Sequence, residues 1–299
     1  MRLAYFCMRS EFSMRPLAAL LEAGYDIQLV VRPFARDYRN EHVLEAFERP
    51  ADDDFSSLDE SDPFRLALPR EIPCYRVGDA SSSSMAKLLR DREIDLVIVA
   101  FFNQLLKPRI LERLPMGAIN IHPSLLPKYR GPAPLFWTFR NGEQETGVTV
   151  HRIAAGEDTG DILQQERARL PFGTKGEALI PLLGAQAACA LLDVLAAQKN
   201  GSLVPRAQDD GQATRATRPD KENCRLDTSM PASRLYSFVR GVGRWHPLYV
   251  ELGGESHRVL DALEWSCEES LPVDWVLLGD VLHLRCVDGR VAFRTAQPE

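Results

Sequence analysis

The chain has 299 residues, with 36 lysines and arginines against 42 aspartates and glutamates, for a formal charge of −6. At about 100–200 residues per domain, this length makes one large or two ordinary domains, each able to bury a core. A 45% hydrophobic and 26% charged composition excludes wholesale disorder and fibrous classes, and the negative balance offers no global attraction to nucleic acid.

The first half alternates short β-type runs with helical stretches, the pattern of an α/β fold with a mainly parallel sheet flanked by helices. Leu3 to Cys7 reads as a strand, Arg15 to Glu22 as a helix and Asp26 to Val31 as a second strand. A polar stretch from Arg32 to Glu71 follows. Within 37–71 there are eleven acidic residues against four basic ones, including Asp52, Asp53, Asp54, Asp59, Glu60 and Asp62. An acidic segment of that length reads as an insertion rather than a core element. The alternation resumes with a strand at Cys74 to Val77 and a serine run, Ser81 to Ser84, that can cap a helix over Met85 to Arg92. A strongly apolar strand, Asp95 to Phe101, comes next. Lys107 to Leu114 reads as a short helix with Pro108 in its first turn, and Gly117 to His122 as another apolar strand.

After a loop from Pro123 to Pro134, the spacing predicts a helix to about Arg140, β-type runs at Thr146 to Ile153 and Ile162 to Leu170, and a long helix from Gly176 to Ala197 stopped by Asn200-Gly201. The polar segment Val204 to Thr217 reads as a linker. Beyond it lie an amphipathic helix, Pro231 to Val242, and short runs at Tyr249 to Leu252, Arg258 to Leu263, Val281 to Val287 and Arg290 to Phe293, split by Gly-Gly, Gly-Asp and Asp-Gly turns. The expected organisation is a domain over 1–203, a linker over 204–217 and a smaller β-rich C-terminal domain over 218–299.

No uncharged apolar run reaches the roughly 18 residues that cross a bilayer. Arg2, Arg9, Glu11 and Arg15 interrupt any leader-like core, so a cytoplasmic protein is expected. The six cysteines, Cys7, Cys74, Cys189, Cys224, Cys267 and Cys286, are scattered without C-x-x-C or zinc spacing and read as reduced, buried thiols.

The polar end of the fifth predicted strand carries the chemistry. Asn120 and His122 alternate in Ala118-Ile119-Asn120-Ile121-His122-Pro123, so they face one side about 7 Å apart. They stand where open α/β sheets place their ligands. Taken alone, such a histidine is more often a hydrogen-bonded structural residue. The following loop, Ser124 to Pro132, carries Lys128 and Arg130, which with Arg9 and Arg15 could meet an anion or simply be solvated. Gly156 to Asp161 is a Gly-flanked loop with Glu157, Asp158 and Asp161, a composition that turn formation also explains. His151, inside a strand, reads as core or surface. Neither G-x-x-x-x-G-K-[ST] nor G-x-G-x-x-G occurs.

Together, Asn120 to Pro127, Tyr129-Arg130-Gly131, Thr146 to Thr149 and Asp158 to Ile162 resemble, in order and spacing, the formyltransferase family that uses N10-formyltetrahydrofolate. The close match spans about residues 94–165. The resemblance implies a Rossmann-like formyltransferase core, with Asn120, His122 and Asp158 as the family's catalytic Asn, His and Asp. It implies folate contacts at Phe101, Phe102, Asn103, Gln104, Leu105 and Leu106 and at Ala154, Ala155, Gly156 and Glu157, and no metal.

In such a site an acceptor amine attacks the formyl carbon, Asn120 and a protonated His122 donate to the oxygen that becomes negative, and Asp158 orients the imidazole or takes the amine's proton. The family's members include methionyl-tRNA, glycinamide ribonucleotide, sugar-nucleotide and hydroxyornithine formyltransferases. The acidic 37–71 segment, and fifteen acids against eleven bases over 207–299, speak against tRNA and for a small-molecule amine, foremost a nucleotide-linked amino sugar. Methionyl-tRNA formylation, a hydroxyornithine-type N-formylation, hydrolysis of the folate and a non-catalytic folate-binding protein remain alternatives, as does a homodimer through the tail.

Overall fold

Apolar runs rich in β-branched residues become strands when both of their faces can be covered. The computed structural model, which describes residues 1–34, 43–48 and 58–296, has β1 (Arg2–Cys7), α1 (Glu11–Glu22), β2 (Asp26–Pro33), β3 (Leu44–Phe47), α2 (Phe64–Ala67), β4 (Cys74–Val77), α3 (Ser83–Asp91), β5 (Leu96–Ala100), α4 (Pro108–Leu111) and β6 (Ala118–His122). These are followed by α5 (Pro134–Arg140), β7 (Glu145–Arg152), β8 (Ile162–Arg169), α6 (Gly176–Asn200) and α7 (Ala232–Val242), then β9 (Tyr249–Leu252), β10 (Glu255–Ser266), β11 (Trp275–Leu278), β12 (Val281–Cys286) and β13 (Gly289–Thr295).

Two compact units emerge. The first comprises Met1–Arg130, Gly147–Ala168 and Ile180–Arg215; the second comprises Gly131–Thr146, Arg169–Leu179 and Ala216–Glu299. Among the described residues, an eight-stranded sheet runs β3-β4-β2-β1-β5-β6-β7-β8. The pairs β4-β2, β2-β1, β1-β5 and β5-β6 are parallel, whereas β3-β4 and β6-β7 are antiparallel. The expected α/β class, mainly parallel and helix-flanked, is therefore present, and so is the C-terminal β-rich sheet. That second sheet, ordered β11-β12-β13-β10-β9, pairs antiparallel at each step.

The first helix starts a turn earlier than its apolar spacing predicts. Ser10 is extended and its side chain accepts the Phe12 N–H, which satisfies one donor and opens the helix at Glu11. The long α6 is apolar enough over its 25 residues to cross a membrane by length and composition, contrary to the expectation of no such run. In the first unit its Leu183, Ala187, Ala190 and Leu191 are fully buried in the protein. The six thiols are free, and Cys189 and Cys267 are exposed rather than buried.

The acidic insertion differs most from its sequence reading. Asp52, Asp53 and Asp54 lie outside the described residues. The described parts of the segment contribute β3 to the sheet edge and bury Leu58, Phe64, Ala67 and Leu68. Asp62 is fully buried, paired with the buried Arg32, whose guanidinium lies 4.0 Å from the centre of the Phe64 ring. Arg9 approaches the same carboxylate at 3.4 Å. Asp62 also accepts the Phe64 N–H at 3.0 Å. Removing one partner of a buried pair leaves the other charge uncompensated, so Asp62→Ala is expected to cost about 3–5 kcal/mol in denaturant unfolding; a midpoint equal to wild type would show that this pair does not anchor the segment.

Candidate active site

β6 presents Asn120 and His122 on one face, and register decides what meets them. Val99 of β5 sits beside Asn120 and Ala100 beside Ile121. On the other side, antiparallel β7 sets His151 directly opposite Asn120 and Thr149 opposite His122, and side chains of such opposed residues are in reach of one another. The Asn120 amide nitrogen lies 3.1 Å from His151 Nε2, while His151 Nδ1 lies 2.8 Å from the Arg152 carbonyl oxygen. The pattern is self-consistent for one tautomer: Nδ1–H donates to that carbonyl and bare Nε2 accepts from Asn120.

Asp158 arrives from the loop between β7 and β8. Gly160 makes that fold-back feasible, because a Cβ there would sit 1.9 Å from the Arg152 carbonyl oxygen. The backbone closes with Arg152 N–H donating to Asp161 O at 2.9 Å. Asp158 itself is left-handed, φ 55°, a conformation a non-glycine residue holds only where its surroundings enforce it. Its Oδ1 accepts from the Asn120 amide at 3.3 Å, and its Oδ2 lies 3.5 Å from His122 Nδ1. The structure thus brings Asn120, His122 and Asp158 together.

His122 is buried, and its Nε2 lies 2.8 Å from the Tyr129 carbonyl oxygen. Nε2 must donate there, so Nδ1 is the nitrogen turned toward Asp158. Burial pushes the imidazole below its ordinary range, with the neighbouring His151 acting the same way. Asp158, the Tyr129 carbonyl and Glu157 oppose the shift without overcoming it. The resting His122 is therefore favoured neutral, which reverses the sequence expectation of a protonated donor; the physical reason is desolvation, invisible to residue order.

The expected folate segments separate into roles. Phe101 leaves β5 at φ 54° with an exposed ring, and Leu105 is also exposed. Phe102 packs edge-on against Phe6, with ring centres 5.6 Å apart, and Leu106 is core. Asn103 is exposed. The Gln104 side chain is engaged structurally, donating to Gly78 O at 3.0 Å and accepting from Ala80 N at 2.7 Å. Ala154, Ala155 and Gly156 are exposed, and Glu157 pairs with Arg215 at 2.6 Å. Exposed apolar groups beside exposed backbone suit a flat ring with polar edges.

Two features of the candidate site escaped the sequence reading. His151 orients Asn120, and only the β6-β7 register reveals it; the readable trace was a polar residue on the same face as Thr149 in a buried strand. Arg130 is buried rather than solvated, donating to Gln208 at 3.0 Å and to Asp210 at 2.8 Å. His151→Phe should deprive the part-buried Asn120 amide of one acceptor, costing about 1 kcal/mol of stability. It should also slow any reaction that uses the Asn120 amide; unaltered melting and turnover would refute the role. A cavity of about 840 Å³ is lined wholly by residues of the second unit, among them Phe139, Phe172 and Arg234, and by none of the residues above.

A formyl transferase family model matches residues 47–179. The methionyl-tRNA formyltransferase of Acidobacterium capsulatum is 33% identical over 261 residues, which is 85% of this chain and 79% of that one. The methionyl-tRNA formyltransferase of Anaeromyxobacter dehalogenans is 36% identical over 196 residues, or 66% of this chain, and the match spans 63% of its length, under two thirds. Among solved structures, an N-formyltransferase from Helicobacter canadensis in complex with folinic acid and dTDP-3-aminofucose has the same fold, with a TM-score of 0.67 at 13% identity and 98% of each chain covered.

Proposed function

The chain belongs to the formyl transferase family, and on that premise we propose that it transfers a formyl group from N10-formyltetrahydrofolate to the amine of a small-molecule acceptor, foremost a nucleotide-linked amino sugar. The observation that carries the reading is one carboxylate, Asp158, facing both the His122 imidazole and the Asn120 amide.

Phe101 to Leu106 and Ala154 to Glu157 are the residues that would hold the folate, which supplies the formyl group when bound. Neutral His122 has one ring nitrogen tied to Tyr129 O, so Nδ1 accepts the proton that the attacking amine must shed. The imidazolium formed then faces Asp158, which favours the charged state, and it can return the proton to N10 as the bond from that nitrogen to the formyl carbon breaks and tetrahydrofolate leaves. Asn120 keeps one N–H on His151 and can turn the other, held at a long 3.3 Å by Asp158, toward the oxygen where negative charge develops.

A low-mass acceptor is supported by charge. Eleven acids against four bases over 37–71, and fifteen against eleven over 207–299, oppose a phosphate backbone. The Helicobacter canadensis protein, bound to a nucleotide-linked amino sugar, has the same fold. The second reading is methionyl-tRNA formylation, favoured by the names of the relatives at 33–36% identity. Incubating the protein and N10-formyltetrahydrofolate with nucleotide-linked amino sugars, other small amines and initiator methionyl-tRNA in parallel separates the readings. Gain of one formyl mass on a small amine is the expected result. Formylation of the tRNA with a steep salt dependence would replace it with the second reading, and formate release without any acceptor would make the protein a hydrolase.

A further inference from the structure

We propose that Gln208 is a positioning residue for this site, its carboxamide holding the Asp158 loop in register with the backbone that anchors His122. The inference rests on the formyl-transfer reading for its kinetic consequence but not for its structural one.

Gln208 donates from Nε2 to two carbonyls of the loop, Asp158 O at 2.8 Å and Gly160 O at 2.7 Å. Its Oε1 accepts from Arg130 Nε at 3.0 Å. Arg130 is buried and ion-paired to Asp210 at 2.8 Å, and its chain neighbour Tyr129 supplies the carbonyl that takes the His122 proton. One side chain therefore bridges the backbone on which the carboxylate rides and the backbone against which the imidazole rests.

Both anchor points are strained in the same way, Asp158 at φ 55° and Tyr129 at φ 62°. Left-handed non-glycine residues persist where several bonds over-determine them. The segment around Gln208 supplies those bonds. Tyr129 N donates to Thr214 Oγ1 at 2.8 Å, Arg130 N to Thr214 O at 2.9 Å, and Ile162 and Arg206 exchange two backbone bonds of 2.8 Å. Two members of this strap reach the Asp158 loop: Arg215 pairs with the Glu157 carboxylate at 2.6 Å, and Gln208 holds the loop's own backbone at Asp158 and Gly160. Without its two donors, the loop keeps the Arg152–Asp161 closure and the Arg215–Glu157 pair but loses the bonds made to the Asp158 backbone itself, and the 3.3 and 3.5 Å spacings to Asn120 and His122 are less tightly enforced.

The groups facing His122 are Asp158, Glu157 and His151. Asp158 favours the imidazolium, so a carboxylate that drifts away lets the His122 titration fall. The test uses the full chain with Gln208→Ala, Gln208→Glu and Arg130→Lys. Gln208→Glu keeps a partner for Arg130 but replaces both donors with a carboxylate facing two carbonyls. Arg130→Lys keeps a charge for Asp210 and loses the Nε donor. NMR titration of the His122 ring needs no substrate. Gln208→Ala and Gln208→Glu should both lower its midpoint, and Arg130→Lys should do so less, with thermal melting confirming that each variant is folded. In the transfer assay, kcat should fall about 100-fold, the scale of losses from small misplacement of reacting groups, with KM for the folate little changed. A folded Gln208→Ala protein with an unshifted His122 titration overturns the proposal whether or not transfer activity is found. Absence of transfer in wild type, with the titration shifted as expected, removes the formyl-transfer reading and leaves the positioning role standing.

Discussion

His122→Gln should lower kcat for formyl transfer by about 10²–10⁴-fold, the range lost when a positioned acid–base group is removed. Glutamine retains an N–H that can meet the Tyr129 carbonyl, so the anchor that wild type makes at 2.8 Å can survive. What disappears is the second nitrogen, Nδ1, facing Asp158 at 3.5 Å. A neutral amide has no basic lone pair there, and the amine's proton has nowhere comparable to go. The pH profile separates this account from a packing defect. The base acts in its neutral form, and burial moves the His122 equilibrium below the ordinary imidazole value of about 6.5. Wild-type kcat should therefore hold through pH 6.5 and decline only on further acidification, and the variant should lack that limb. A wild-type limb lying above pH 6.5, or one that persists in the variant, would assign the proton to another group.

Asn120→Ala should cost about 10²–10³-fold in kcat, the scale measured elsewhere for deleting one donor to a developing oxyanion. The expectation is a kcat effect because the donor becomes useful only as charge grows on the oxygen, so binding of the folate should change little. The substitution also strips His151 Nε2 of its 3.1 Å partner. His151→Phe leaves the amide present but unsupported, so it should be the milder of the two in kcat. Comparable losses from both would mean that Asn120 serves mainly to hold His151. Combined with His122→Gln, Asn120→Ala should be far from additive, since groups that act on one transition state fail together.

These expectations draw unequally on sequence and on structure. Alternation within Ala118 to His122 already placed Asn120 and His122 on one face, and the apolar β-type runs already implied a mainly parallel sheet, because period-two exposure and burial on both faces are local properties of the chain. The spacing of Asn120, His122 and the Asp158 loop was enough to indicate a family resemblance. Residue order also carried the acidic imbalance of 37–71, but not its anchoring. That Asp62 is buried against Arg32 depends on how the segment returns to β2, which no charge count reveals.

The same boundary runs through the site. His151 read as an ordinary strand residue because its partner lies 31 positions away and is set by the antiparallel register of β6 and β7. Gln208 lay in polar sequence with no periodicity to mark it, yet its bonds reach Asp158 and Gly160 across separations of 50 and 48 residues. The pull of burial on His122 toward its neutral form escaped the sequence for a related reason: desolvation belongs to the packed interior and not to the residue. Sequence by itself determined most of the strands and helices, though not β3, α2 or β11, and the chemical types available at the sheet's polar end, since each depends on neighbours a few residues apart. Tertiary structure alone decided which of those groups meet, which of them carries a proton and what holds them there, because hydrogen-bond geometry and dielectric environment are created only when distant segments pack.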